Sequence, residues 1–251
     1  MDAYATAAQV YVASLVFSRV GAMVMLMPGI GDAVVPPRVR LGFALLMSLL
    51  ITPLVSHTVG AIPPTIGGLT ARIIHEILIG LMIGSVLKIA LIALSTAGEI
   101  ISLQTTLSFA QTANPAQAQS STAVATFLSM LGLTLIMVTD LHHLFIGAIV
   151  HSYDIFPFSR AAPVNDAATL AMRTVAQSFS LGVQLAAPVI VFSVVFNLAT
   201  GLIGRVMPAF QIFFVASPLS VIFGLSLLAL SLGGIAMVWS DRYRELLAVF
   251  N

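Results

Sequence analysis

The sequence has no cysteine, one tryptophan in 251 residues, and only ten Lys or Arg against nine Asp or Glu. Without cysteine there is no disulfide, no Cys-ligated zinc or iron–sulfur centre and no thiol nucleophile. Lipid cannot be attached through a thiol, and Asp2 stands where N-myristoylation needs Gly. The shortage of charge excludes more. Charged residues make up 8% of the chain, whereas average soluble domains carry about 25%. So few charges cannot cover the solvated surface of an ordinary soluble enzyme or a disordered scaffold. A net charge of +1 offers no attraction for nucleic acid or anionic lipid. What is present is apolar: 59% hydrophobic residues and a mean hydropathy of +1.08. These are the proportions of an integral membrane protein.

The charges are placed so that residues 41–71, 100–139, 174–204 and 206–240 contain none. A spanning helix needs roughly 20 mostly apolar residues at 1.5 Å each to cross a hydrocarbon core about 30 Å thick. Six segments satisfy this: about 8–28, 41–59, 73–97, 123–150, 178–204 and 212–239. The expected fold is an all-α membrane protein of about six long apolar helices, several kinked, ending in a helical hairpin. No positive residue precedes the first apolar stretch before Arg19, so it reads as a retained segment rather than a cleaved export signal. Five arginines (72, 160, 173, 242 and 244) fall on one side against three (38, 40 and 205) on the other, which favours both termini in the cytoplasm.

The breaks between segments differ in character. Pro28-Gly29-Ile30-Gly31-Asp32 and Pro36-Pro37 end the first, and Pro63-Pro64 with Gly67-Gly68 mark the second. Residues 104–122 are dominated by Gln, Thr, Ser and Asn without a single charge. Residues 153–173 carry Asp154, Arg160, Asp166 and Arg173 and read as an aqueous loop. The last break, around Gly204, Arg205 and Pro208, is tight enough for a hairpin.

Catalytic chemistry finds little to use. His75-Glu76 opens like a zinc-protease signature, but its second histidine would fall at Ile79. Arg72 and Glu76, four residues apart, are placed to neutralise each other on one helix face. His142 and His143 are adjacent and point about 100° apart on a helix, so the pair alone does not chelate one ion; Asp140-Leu141-His142-His143 reads as a polar helix end or bend. No Ser/His/Asp set or paired carboxylates stand out, and no metal or cofactor is expected. Arg19, Glu76, Lys88 and Glu99 lie within or at the ends of apolar stretches, where charge marks either a solute pathway or pairing between helices. Gly80 and Gly84 have the spacing that lets two helices approach closely.

The 104–122 stretch is the most informative. Irregular backbone is not tolerated against lipid, so this loop is aqueous, buried in protein or lining a wet cavity. Its lack of charge suits it to bind no ion tightly, and Leu107 and Phe109 offer an apolar closure.

Several segments together resemble the FliR family of flagellar biosynthetic proteins, with its T counterpart in injectisomes. The resemblance lies in Pro28-Gly29-Ile30-Gly31 followed by Val35-Pro36-Pro37-Arg38-Val39-Arg40-Leu41-Gly42, and in Gly98-Glu99 through Gln104 with Leu107-Ser108-Phe109-Ala110 and Asn114-Pro115. It continues in His142-His143-Leu144 with Ser152-Tyr153 and Pro157, and in Asn197 through Gly201 to Arg205-Val206-Met207-Pro208. Two departures stand out: Thr105-Thr106 where the family usually has Met-Gly, and Ala209-Phe210-Gln211 where it usually has Gln-Leu-Asn.

The resemblance implies a non-enzymatic subunit of the type III protein export gate, closing a ring with P and Q proteins around a pore for unfolded polypeptides. It implies a P-like part over residues 1–170 and a Q-like hairpin over 174–240. A plug loop is implied at Gln104, Leu107, Ser108, Phe109, Ala110, Gln111, Asn114 and Pro115. Arg19, Arg72, Glu76, Lys88, Glu99 and Arg205 become inter-subunit or inter-helix charges. The implied place is the inner membrane at the flagellar basal body, partly projecting to the periplasmic side, with a B export-switch protein docked on the assembly. The competing function is a small secondary transporter using Glu76, Lys88 or Glu99 as coupling groups, which calls for two related halves that the sequence does not display.

Overall fold

The computed structural model describes residues 6–32, 34–108, 121–158, 164–207 and 211–248. Among them are seven α-helices and no strand: α1 (Ala7–Leu26), α2 (Pro37–Val55), α3 (Ile66–Gln104), α4 (Ala123–Val138), α5 (Leu141–Ile155), α6 (Val164–Val206) and α7 (Ile212–Leu247). Five are long and apolar enough to cross a membrane, and α4 with α5, bent by 75°, make a sixth candidate. The chain is an all-helical membrane protein.

Local chemistry sets the helix starts. Thr6 and Gln9 form a reciprocal cap on α1: the Thr6 amide donates to Gln9 Oε1 at 2.8 Å, and the Gln9 amide donates to Thr6 Oγ1 at 3.4 Å. Pro37 opens α2, where its missing N–H costs nothing. Thr122 caps α4 through a bond from the Ala125 amide. Asp140 takes a left-handed φ of 58°, and that single residue breaks the expected 123–150 segment into α4 and α5.

Two other expectations need correction. The expected 73–97 segment is part of a 39-residue helix, so Arg72, Glu76, Lys88 and Glu99 all ride on α3. The region expected as an aqueous loop at 153–173 is helical up to Ile155 and again from Val164, so Asp166 and Arg173 belong to the first turns of α6.

The chain divides into two compact units. The first comprises residues 1–90, 140–175 and 244–251; the second comprises 91–139 and 176–243. In the first, Leu15, Val16, Val20 and Met23 of α1 pack with Ala44 and Ile51 of α2, Ile79 and Ile83 of α3, and Ile149 and Tyr153 of α5. There α1 and α3 run parallel in close contact: a Cβ on Gly80 would collide with the Arg19 carbonyl, and one on Gly84 would press on Leu26 and Met23. In the second unit, Trp239 is fully buried and stacks on Tyr243 at 4.8 Å between ring centres. There α6 and α7 form the expected antiparallel hairpin, with Gly204 facing Ile212 and the Phe192 and Phe223 rings 5.8 Å apart. Helix α6 continues past Gly204 and stops at Val206; Pro208, expected at the turn, lies outside the described residues.

Candidate functional site

Two polar constellations stand out, one in each unit. In the first, Arg19 projects from the middle of α1 into the core. Its Nε donates to Glu76 Oε2 at 2.7 Å, and both side chains are buried, at 0% and 1% exposure. Its Nη1 donates to the Ser152 carbonyl at 2.8 Å and its Nη2 to the Phe156 carbonyl at 2.8 Å. The guanidinium lies 4.2 Å from the Tyr153 ring centre and 5.4 Å from that of Phe158. Ser152 lies in the last turn of α5 and Phe156 caps it, where the dipole favours a cation; the Ser152 carbonyl also accepts from the Phe156 amide at 3.0 Å. Arg19 therefore caps α5 and neutralises Glu76 together.

Arg72 does not pair with Glu76, contrary to the expectation from spacing. It donates to the Phe158 carbonyl beyond the end of α5. Glu76 lies on the inner face of α3, where Arg19 already occupies one oxygen; the other is 3.4 Å from His75 Nδ1. A local i,i+4 rule lost to a partner 57 residues away.

The second constellation holds the two ends of the uncharged loop. Gln104 closes α3 and accepts from Ser193 Oγ at 2.7 Å through its side chain, while Ser193 Oγ accepts from Asn197 Nδ2 at 3.2 Å. The next residue, Thr105, is buried, its methyl seated where a Cβ on Gly224 of α7 would be. Thr106 takes φ 62°, and its hydroxyl lies 3.3 Å from that of Ser217. The Ser108 amide donates to the Ser102 carbonyl at 3.3 Å, turning the chain back on itself. At the far end, the Thr122 amide donates to Glu99 Oε1 at 2.9 Å. A carboxylate at the start of α4 is well placed against the helix dipole.

Position 106 is where the family resemblance implies Gly in place of this chain's Thr. The backbone there has a positive φ, which is free for Gly and costly for a β-branched residue. Of the proposed plug residues, Gln104, Leu107 and Ser108 are thus part of the anchored base. Phe109, Ala110, Gln111, Asn114 and Pro115 lie outside the described residues.

The remaining expected charges are not gathered into either constellation. Arg205 is exposed in the last turn of α6. Lys88 is half-buried midway along α3 with no ion pair or hydrogen bond among the described residues. The structure adds one grouping that the sequence reading missed. At the α4–α5 bend, ligand atoms of Asp140, His142 and His143 come within 4.8 Å of one another, although Asp140 and His143 are exposed. Asp140 stands at the start of α5 with His143 three residues on, and its carboxylate lies 3.6 Å from His143 Nδ1.

The transporter alternative loses two of its three coupling groups to fixed partners: Glu76 to Arg19, and Glu99 to the Thr122 amide. Residues 10–246 match the family described as bacterial export proteins, family 1. The chain is 77% identical over 251 residues, the whole of both chains, to the flagellar biosynthetic protein FliR of Caulobacter vibrioides. The chain belongs to the FliR family. It is also 32% identical to the FliR of Escherichia coli over 234 residues, 93% of this chain and 87% of that one. With the FliR of Bacillus subtilis the identity is 26% over 214 residues, 82% of this chain and 80% of that one. Matches of such length embrace both units of this FliR-family chain, the Arg19–Glu76 pair and the loop base included.

Proposed function

We propose that this chain is a non-enzymatic subunit of the flagellar type III protein export gate in the bacterial inner membrane. It closes a ring with P and Q proteins around the secretion pore, with its 1–170 part P-like and its 174–240 part Q-like. Part of it projects to the periplasmic side within the basal body, and a B export-switch protein docks on the assembly. Residues 104–118 serve as the pore's plug. The observation that carries the reading is the full-length likeness to a FliR protein.

The loop base supports the plug assignment. A closure for a pore that passes unfolded polypeptides must exclude ions yet grip no sequence, which an uncharged loop carrying the apolar Leu107 and Phe109 does by dewetting. Among the described residues, both ends of the loop are held by neutral hydroxyls, a side-chain amide and one backbone amide–carboxylate bond, with no ion pair.

The test combines recovery and conductance. The tagged chain purified from native membranes brings down P and Q proteins in a large hetero-oligomer; a monodisperse monomer or small homo-oligomer would overturn the gate reading. Deleting residues 109–115 leaves assembly intact and makes the membrane leaky to small ions. Normal impermeability of a fully assembled deletion complex would remove the plug role alone.

A further inference from the structure

The chain satisfies most of its intramembrane charge by itself. Arg19 holds Glu76, Glu99 holds the start of α4, and Arg72 holds the carbonyl of Phe158. Lys88 is the exception within the apolar length of α3. It lies 12 residues after Glu76 and 11 before Glu99, about 18 and 16 Å along the axis, beyond a lysine's reach. The ends of α3 are farther still, about 33 Å back to Ile66 and 24 Å on to Gln104.

The face on which Lys88 sits is equally unfinished. Ile74, Leu78 and Leu81 are exposed, and with Ser85 and Lys88 they follow one another at alternating steps of four and three residues. That is the spacing of a helix surface packed lengthwise against another helix. Ser85 carries no charge to balance Lys88, and its hydroxyl donates to the Met82 carbonyl at 2.8 Å on its own helix.

We propose that this stripe of α3 docks an apolar helix of a partner subunit that carries one Asp or Glu opposite Lys88. The apolar side chains explain the helix, and the uncompensated ammonium explains the carboxylate. Lipid tails would cover the isoleucine and leucines but leave the charge unpaired. A second copy of this α3 laid in parallel register would set Lys88 against Lys88. The inference rests on the export-gate reading and names a contact within it.

The experiment uses the complex purified from native membranes. Lys88→Glu lowers recovery of the partner that docks here at least tenfold, while the chain stays membrane-inserted with an unchanged protease pattern. Lys88→Met, which leaves the partner's carboxylate buried alone, also lowers recovery, and Lys88→Arg restores it. Because the chain has no cysteine, Ser85→Cys supplies a single thiol for a photoreactive maleimide crosslinker. The crosslinked peptide should come from an apolar partner helix with an acidic residue within one turn of the adduct. Unchanged recovery in both Lys88→Glu and Lys88→Met, or crosslinking to lipid alone, would overturn the docking assignment. Failure of the unaltered chain to bring down any partner would instead overturn the gate reading on which it rests.

Discussion

The two units satisfy their polar groups in opposite ways. The first places a full charge pair at its centre, with Arg19 and Glu76 closed off from solvent and the guanidinium reaching two carbonyls at the end of α5. The second ties the base of its loop with neutral partners, Gln104 to Ser193 and Thr106 to Ser217, and a single carboxylate, Glu99, on a backbone amide. A buried charge pair is costly to break, because either member left behind is an unpaired ion in a low-dielectric interior. Neutral hydrogen bonds exchange for others at little net cost. The first arrangement suits a part that holds one geometry; the second is the less costly of the two to rearrange.

The largest effect is therefore expected at Arg19. Arg19→Met leaves Glu76 buried without its cation and the end of α5 without its cap, and costs about 3–5 kcal/mol. The double substitution Arg19→Met with Glu76→Leu recovers most of that loss, since a buried ion pair is replaceable by apolar groups of similar volume. Thermal unfolding of the detergent-solubilised complex reads both. A double variant as unstable as the single one would show that Arg19 acts mainly through the α5 carbonyls rather than through Glu76.

A smaller effect follows in the second unit. Ser193→Ala removes the hydroxyl that donates to Gln104 and accepts from Asn197, a loss of about 0.5–1.5 kcal/mol. Its sharper readout is local: hydrogen exchange at residues 101–106 should quicken while the amides of α1 and α5 keep their protection. Equal acceleration in both units would abolish the contrast drawn between them.

How much of this was open to sequence reading follows the range of each interaction. Partition between water and membrane is a matter of composition, so the charge-free stretches located the spans and the small residues at 201–204 located the hairpin. The bend was legible in Asp140-Leu141-His142-His143, a polar helix end, although the hydropathy of 123–150 had suggested one segment running through it. The Arg19–Glu76 pair joins residues 57 apart, and nothing in local spacing distinguishes it from the Arg72–Glu76 alternative. The role of Glu99 was invisible for a related reason, since its partner is a backbone amide with no side-chain signature. Two signals were nevertheless present. The Gly80–Gly84 spacing announced a close crossing without naming α1, and the departure from Gly at position 106 announced special backbone without giving its sign.

That departure yields the smallest and most specific prediction. Thr106 holds φ at 62° with a β-branched side chain, in a region that costs L-residues other than Gly, Asn and Asp about 1–2 kcal/mol. Thr106→Gly frees the backbone but also deletes the hydroxyl facing Ser217 and adds flexibility to the unfolded chain, so its gains and losses nearly cancel. Thr106→Asn separates these contributions. Asparagine enters the left-handed region readily, and its side-chain amide keeps a group able to bond the Ser217 hydroxyl. The expected outcome is a gain of about 0.5–1 kcal/mol in thermal stability, with slower hydrogen exchange at residues 104–108 and no change around Arg19. Combining Thr106→Asn with Ser217→Ala should erase part of the gain, because the amide then lacks its partner across to α7. Should Thr106→Asn instead destabilise the complex, the threonine methyl at this turn would have to contribute packing that outweighs the strain of its backbone.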